Sequence, residues 1–267
     1  MNLLSGKNVV VTGGSEGIGK EIALKLAESG ANVLITYRTQ HSKAEKVKKL
    51  VEKMGRQCFV YQMDVQNESD IHELSSYTKA VFGKVDVLIN NAGVYTYNTA
   101  LETSSEQWDL NVNVNLKGTF LVSRIFAKDF FVPQNKGRIV NMSSFVGITP
   151  VPFLVAYNVA KAGIIHLTKQ LAMEWGKYNI EVVSVSPGYV ETEAMLAAIE
   201  RGDADGPSIL RNSPAGRLAK PGEVANLFTY LASDKASYIS GSNISIDGAY
   251  STGIRFTKLV ENEIVVE

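Results

Sequence analysis

Cysteine is almost missing from this sequence: Cys58 is the only one in 267 residues. That excludes an internal disulfide framework and a cysteine-based zinc cage. An excess of one charge is missing too. Lys plus Arg and Asp plus Glu both number 27, so the formal net charge is zero. A dedicated nucleic-acid binder usually carries a basic surplus, so that class is set aside. The three histidines, His41, His72 and His166, show no metal-ligand spacing, and no metal is expected. The opening Met1-Asn2-Leu3-Leu4-Ser5-Gly6-Lys7 is too short an apolar run for a signal peptide, and a cytoplasmic protein is expected. Long hydrophobic runs are scarce as well. The longest stretch without a charge runs from 139 to 160, between Arg138 and Lys161, and by length it could span a bilayer. Gly147, Pro150, Pro152, Asn141 and Asn158 interrupt it, so a membrane span is rejected.

Hydrophobic residues make up 45% of the chain and charged residues 20%, enough for one large core. Short β-branched runs alternate with longer helical patterns. Strands are predicted near Val9–Thr12, Val33–Thr36, Cys58–Gln62, Val85–Asn90, Arg138–Met142, Glu181–Ser186 and Asn243–Ile246. Helices are predicted near 17–29, 42–54, 68–82, 105–131 (a long helix open to a break), 155–177 and 221–232. Strict alternation implies a parallel sheet, because right-handed crossovers put helices on both faces. Strands such as Val9-Val10-Val11 are apolar throughout, as expected when both faces are covered. The expected architecture is one doubly wound α/β domain over residues 1–250, with seven parallel strands in three layers. Two stretches break the alternation. Residues 189–217 read as a long loop with a short helix, expected to cover the substrate. The tail, 251–267, reads equally as a frayed end or as a docking segment through Ile264-Val265-Val266.

The turn after the first strand is Thr12-Gly13-Gly14-Ser15-Glu16-Gly17-Ile18-Gly19, and it opens the first helix. Glycines there let the backbone approach a pyrophosphate, and a helix N-terminus offers free N–H groups. An overlapping P-loop reading fails at Glu21, where a Ser or Thr hydroxyl should hold magnesium. NAD sites usually place an acid at the end of strand 2. Here that end reads Thr36-Tyr37-Arg38-Thr39, and a planar guanidinium suits a 2′-phosphate. That favours NADP(H). Glu16 is unfavourable for a nearby phosphate. The basic run Lys43, Lys46, Lys48, Lys49, Lys53 reads as a solvated helix face.

Tyr157 and Lys161 are four apart on a predicted helix, so they share one face. A nearby ammonium lowers a phenol's pKa, and the pair could serve as general acid or base toward a carbonyl or alcohol. Strand 138–142 delivers Ser143 and Ser144 at its carboxyl end, where open α/β sheets bind ligands. Tyr95, Phe145, Phe153 and Tyr189 fall near this region and read equally as pocket walls or core.

These motifs together resemble the short-chain dehydrogenase/reductase family, single-domain branch. Its TGxxxGxG is similar to Thr12–Gly19, its NNAG to Asn90-Asn91-Ala92-Gly93, its YxxxK to Tyr157–Lys161 and its PG to Pro187-Gly188. The likeness covers about Gly6 to Gly248. It implies a Rossmann fold and an NAD(P)-dependent oxidoreductase, most simply NADP(H)-dependent with NAD(H) use open, since the glycine loop lacks the basic residue of many NADP-preferring members. It implies catalytic roles for Ser144, Tyr157, Lys161 and Asn115, the last supporting a relay water. It implies cofactor contacts at Gly13, Ser15, Glu16, Gly17, Ile18, Gly19, Tyr37 and Arg38. Asp64 and Val65 would meet adenine. Asn91, Ala92 and Gly93 would pass the adenosine ribose. Lys161 would bond the nicotinamide ribose, Pro187, Gly188 and Val190 would contact nicotinamide, and Thr192 its carboxamide. Substrates of relatives include 3-oxoacyl thioesters, sugars and polyols, with hydroxysteroids and secondary-metabolite ketones also open. A homo-oligomer, dimer or tetramer, through helices near 105–131 and 155–177 is also implied. Two alternatives stand: a non-catalytic dinucleotide sensor or scaffold, and an extended-type nucleotide-sugar epimerase, whose glycine spacing and length fit less well.

Overall fold

The computed structural model describes residues 2–202 and 204–253, and the backbone of 259–260 and 263–264. Seven parallel strands form one sheet: β1 (Asn8–Val11), β2 (Asn32–Tyr37), β3 (Cys58–Gln62), β4 (Val87–Asn90), β5 (Gly137–Met142), β6 (Ile180–Pro187) and β7 (Asn243–Ile246). Their order is β3-β2-β1-β4-β5-β6-β7. Helices α1 (Gly17–Glu28), α2 (His41–Lys53) and α10 (Pro221–Ala232) pack on one face with Val9, Val11, Ile35 and Val183. Helices α3 (Glu68–Phe82), α5 (Gly118–Phe126) and α7 (Val155–Trp175) pack on the other with Val10, Leu34, Leu88 and Val182. Neighbouring strand residues thus enter opposite cores, which is why these strands read as unbroken apolar runs. The three layers and the seven parallel strands match the expected fold.

Two departures from the expected elements have local causes. The long helix is interrupted twice. α4 (Ser105–Asn111) starts with a reciprocal Ser104/Gln107 capping box. The chain then widens into π-helical turns at Val112–Lys117 and Ala127–Phe131, on either side of α5, and ends in the short α6 (Val132–Gln134). Such widened turns are rare and occur often at functional sites. The stretch 189–217 holds two helices rather than one: α8 (Glu193–Glu200), capped by Thr192, and α9 (Gly206–Asn212), capped by Asp205. Leu259–Val260 (β8) and Glu263–Ile264 (β9) pair antiparallel. The reading of the tail as frayed end or docking segment rests on residues outside the described ones.

No helix among the described residues is long and apolar enough to cross a membrane. The uncharged stretch 139–160 is divided among β5, a 3-10 turn at Phe145–Gly147, a loop and the first turns of α7.

Arg138 fastens β5 to the end of α10. It is buried, donates to the carbonyls of Leu231 (2.6 Å) and Ser233 (3.0 Å), and lies 3.4 Å from the Glu181 carboxylate on β6. Those carbonyls belong to a helix end that lacks intrahelical donors. Arg138→Met keeps the apolar stem and removes the donors. It should lower the unfolding free energy by about 2–4 kcal/mol, the range for removing a buried charged donor. Urea denaturation with an unchanged slope would show this, and a loss below about 0.5 kcal/mol would contradict it.

Candidate active site

The sheet reverses its winding between β1 and β4, and the carboxyl ends of these strands part there. A cleft of about 460 Å³ opens at that point. Gly13, Ser15, Glu16, Gly17, Ile18 and Gly19 form one wall, with Tyr37, Arg38, Asp64 and Val65 beyond them. Asn91, Ala92 and Gly93 form the floor, and Tyr157, Lys161 and Thr192 close the far end. Thr39, Gln40, Met63, Val94, Tyr95, Met142 and Glu193 also line it. None of these had been singled out as cofactor contacts; their one signal is position just beyond strand ends. Asn115, Ser144, Pro187, Gly188 and Val190 do not line this cleft. Val190 is buried, and Gly188 borders a separate cavity of about 120 Å³ with Tyr189 and Tyr250.

The glycine loop is held by close packing. A Cβ on Gly19 would lie 2.2 Å from the Gly13 carbonyl oxygen, so helix α1 can start against the loop only without a side chain. Gly13 itself has φ +65°, which favours glycine. Helix α1 begins without a side-chain cap and without an acid in its first turn. Its first N–H groups, at the positions lining the cleft, are therefore available to an anion. The residues present fit a dinucleotide pyrophosphate.

Asn91 turns inward rather than toward a ligand. Its side chain donates to the carbonyls of Thr12 (3.0 Å) and Gly13 (2.8 Å), tying the loop after β4 to the loop after β1. The basic run on α2 needs a correction. Lys43 does not merely face solvent: its ammonium lies 2.5 Å from Glu16 and 3.7 Å from Glu193, at the cleft mouth. The hydrogen bond to Glu16 raises the Lys43 pKa. The unfavourable charge of Glu16 is thus offset by a partner 27 residues away.

Ser143 and Ser144 separate cleanly. Ser143 is buried and donates to the Lys161 carbonyl (2.9 Å), a strand-to-helix tie. Ser144, next along, starts the 3-10 turn and shares a hydrogen bond with the Tyr157 hydroxyl. Asn115 sits in the first widened turn, fully buried. It donates to the carbonyls of Val94 and Asn111 (both 2.8 Å), and its own carbonyl accepts from Thr119 (2.6 Å). In this structure it clamps the loop after β4 to the helix.

The expected lowering of the Tyr157 pKa by Lys161 is not found. Burial pushes the phenol up to about 12, with the bond from Ser144 pulling the other way. Burial also brings the Lys161 ammonium down to about 7. Its Nζ donates to the Met142 carbonyl (2.9 Å) and lies 5.4 Å from the Tyr157 ring centre. Over the pH range where the hydroxyl would transfer a proton, the phenol is neutral and is a hydrogen-bond donor.

The sequence matches the family model described as enoyl-(acyl carrier protein) reductase over residues 13–251. It is 36% identical to a 3-oxoacyl-[acyl-carrier-protein] reductase of Staphylococcus epidermidis, over 91% of this chain and 98% of that protein. A short-chain type dehydrogenase/reductase from Mycobacterium marinum superposes with a TM-score of 0.88 at 32% identity, covering 94% and 97% of the two chains. An Agrobacterium tumefaciens protein assigned as a 2-deoxy-D-gluconate 3-dehydrogenase, solved with bound NADP, superposes with a TM-score of 0.84 at 29% identity, over 94% and 98%.

The depressed Lys161 pKa has a consequence for stability. The unfolded lysine titrates near 10.5 and the folded one near 7, so the unfolded chain holds more protons between these values. Stability therefore rises with pH across that window, by up to about 1.4 kcal/mol per unit, and the full penalty of burying the ammonium is present below pH 7. Lys161→Met removes this term. Relative to the unmodified protein, the variant should be most favoured near pH 6 and lose that advantage progressively toward pH 10. Urea unfolding at pH 6, 8 and 9.5 measures it, and a pH-independent difference would refute the assignment. The glycine cradle, the parted strand ends and the Ser144–Tyr157–Lys161 cluster, together with these likenesses, place the protein: the chain belongs to the short-chain dehydrogenase/reductase family of oxidoreductases.

Proposed function

We propose that this chain is an NADP(H)-dependent oxidoreductase interconverting a ketone and a secondary alcohol. The observation that carries the reading is the Ser144–Tyr157 hydrogen bond beside Lys161, at the end of the cleft that starts at the glycine loop. Bound nicotinamide supplies or accepts the hydride at the carbonyl carbon. In the reductive direction the neutral Tyr157 hydroxyl donates its proton to the carbonyl oxygen, and Ser144 orients that oxygen. The rise of the phenol to about 12 makes it a weak acid alone, so the gain comes from positioning and from charge developing on the oxygen beside a cation. Lys161, held by Met142, carries that cation at the ring and would bond the nicotinamide ribose. Asn115 holds the Val94 turn, and through it Gly93, in place. A relay water at Asn115 stays part of the proposal through the family resemblance alone.

For the dinucleotide, the first N–H groups of α1 would take the pyrophosphate. Asp64, with Val65, would take the adenine, Thr192 the carboxamide, and Pro187, Gly188 and Val190 would approach the nicotinamide from β6. Arg38, exposed at the cleft edge with no acid at the end of β2, would meet a 2′-phosphate, with Lys43 partly neutralising Glu16 nearby. The NADP-bound neighbour supports this preference. The chain's relatives include a 3-oxoacyl reductase and a gluconate dehydrogenase. Exposed Trp108, Val159 and Met173 on α4 and α7 support assembly of copies through these helices. A purely cofactor-sensing role would not require the Ser144–Tyr157 geometry.

Tyr157→Phe should leave NADPH binding intact and cut turnover by at least about a hundredfold. Cofactor fluorescence titration and steady-state oxidation of NADPH read the two effects separately, and near-normal turnover would sink the mechanism. Arg38→Ala should lower kcat/KM for NADPH by roughly ten- to a hundredfold and leave that for NADH within a few fold, as expected for losing a charge-assisted contact to the 2′-phosphate. A native enzyme that prefers NADH more than tenfold would overturn the cofactor assignment.

A further inference from the structure

The ends of β4, β5, β6 and β7 lead into stretches that share one property. Residues 87–101, 139–160, 182–190 and 248–253 contain no Asp, Glu, Lys or Arg. The long uncharged window is therefore one of four in the β4–β7 half of the sheet, with Asp247 the one charge between β7 and the last of them.

Besides Tyr157, six aromatic rings come from these stretches. Tyr95 lies 6.1 Å from the Tyr157 ring, Tyr97 lies 5.2 Å from Phe153, and Phe145, Tyr189 and Tyr250 form a mutually packed trio at 4.8–5.3 Å. Phe145 is buried beneath, but Tyr95 (53%), Tyr97 (58%) and Phe153 (46%) stay exposed beside the proton donor. Core packing therefore does not account for them.

Phe153 carries a second sign. Its φ is +68°, a region costly for a bulky side chain, and such strain concentrates at ligand sites. The conformation is held by the Asn98 N–H donating to the Phe153 carbonyl at 2.8 Å, and it brings the ring to Tyr97.

Several polar side chains of the same stretches are already engaged, while the Asn158 side-chain oxygen is buried without a partner. Asn98 donates to the Glu102 carbonyl, Thr96 accepts from Asn111, Thr149 donates to the Ser251 carbonyl, and Asn158 donates to the Val151 carbonyl. Arg217, by the neighbouring small cavity, makes a two-pronged contact with Glu223 at 2.7 Å. Within these four stretches there is no cation to neutralise a carboxylate or phosphate. Flat aromatic faces favour a rigid ring, which forfeits less conformational freedom on binding than an acyl chain.

We propose that the substrate is a neutral carbocyclic ketone, or its alcohol, seated on Tyr95, Tyr97 and Phe153 with its carbonyl at Tyr157. This rests on the oxidoreductase reading above. The test is steady-state kcat/KM with NADPH for trans-1-decalone, acetoacetyl-N-acetylcysteamine and 5-keto-D-gluconate. Decalone should exceed each of the others by at least tenfold. Phe153→Gly tolerates the positive φ and removes only the ring, so it should fold with an undiminished thermal midpoint. It should lose at least tenfold in kcat/KM for decalone, mainly through KM, and Tyr97→Leu should do the same. A higher kcat/KM for the thioester or the keto acid, or a Phe153→Gly variant within twofold on decalone, overturns the inference and leaves the oxidoreductase reading standing. No turnover of any of the three with NADPH or NADH overturns both.

Discussion

The structure depends on how two neighbouring strands are joined where they diverge. Beyond β1 and β4 the chain leaves for opposite faces of the sheet, and the backbone groups at the split lose their ladder partners. The Thr12 hydroxyl accepts from the N–H groups of Asn91 and Ala92, both at 3.0 Å, and the Asn91 side chain answers with two bonds to the carbonyls of Thr12 and Gly13. Buried backbone groups left unpaired would be costly, and here two side chains satisfy all four. The rest of the cleft is built on this joint. Gly19 fits against the Gly13 carbonyl, and Gly93 leaves the floor bare, so that Asn115 and Lys161 both approach it closely.

At the other end of the cleft the organising fact is a buried ammonium. Lys161 is 2% exposed, and its bond to the Met142 carbonyl ties α7 to the end of β5. Ser143 makes the return tie to the Lys161 carbonyl. Burying this cation opposes folding, yet the double tie fixes the helix turn that carries Tyr157. The same desolvation that raises the phenol lowers the lysine, so the uncharged surroundings push the two pKa values apart and favour the neutral form of each. A transition state that places negative charge on the oxygen would be met by a cation whose field little water screens.

What could be read beforehand, and what could not, follows the range of the forces involved. Strands covered on both faces advertise themselves as apolar runs, and β3, α3, α10 and β7 begin and end at the predicted residues because caps and turn residues are local signals. The glycine loop and the Tyr157–Lys161 spacing were legible for the same reason. The widened turns around Asn115 were not, since they arise where a helix adapts to the loop after β4. Nor was Lys43 at the cleft mouth: its partners Glu16 and Glu193 are distant in sequence and meet it only in the folded chain. The choice of Ser144 over Ser143 came from the family resemblance, because periodicity cannot resolve which way adjacent residues point at a strand's end.

The cleft is also divided electrically. Glu16, Arg38, Lys43 and Glu193 gather at one end, exposed to solvent. The stretches 139–160 and 248–253 beyond it carry no charge. On the proposed reading the two reactants differ in the same way, one a polyanion and the other neutral at its reacting end. A charged wall beside Tyr157 would draw water to the proton donor and screen Lys161. Neutral aromatic walls exclude water at little electrostatic cost, while the ions that would hold a phosphorylated cofactor stay hydrated at the far end, where screening does no harm to the chemistry. The long uncharged stretch that looks like a membrane segment in the sequence is, in the fold, one quarter of that dry wall.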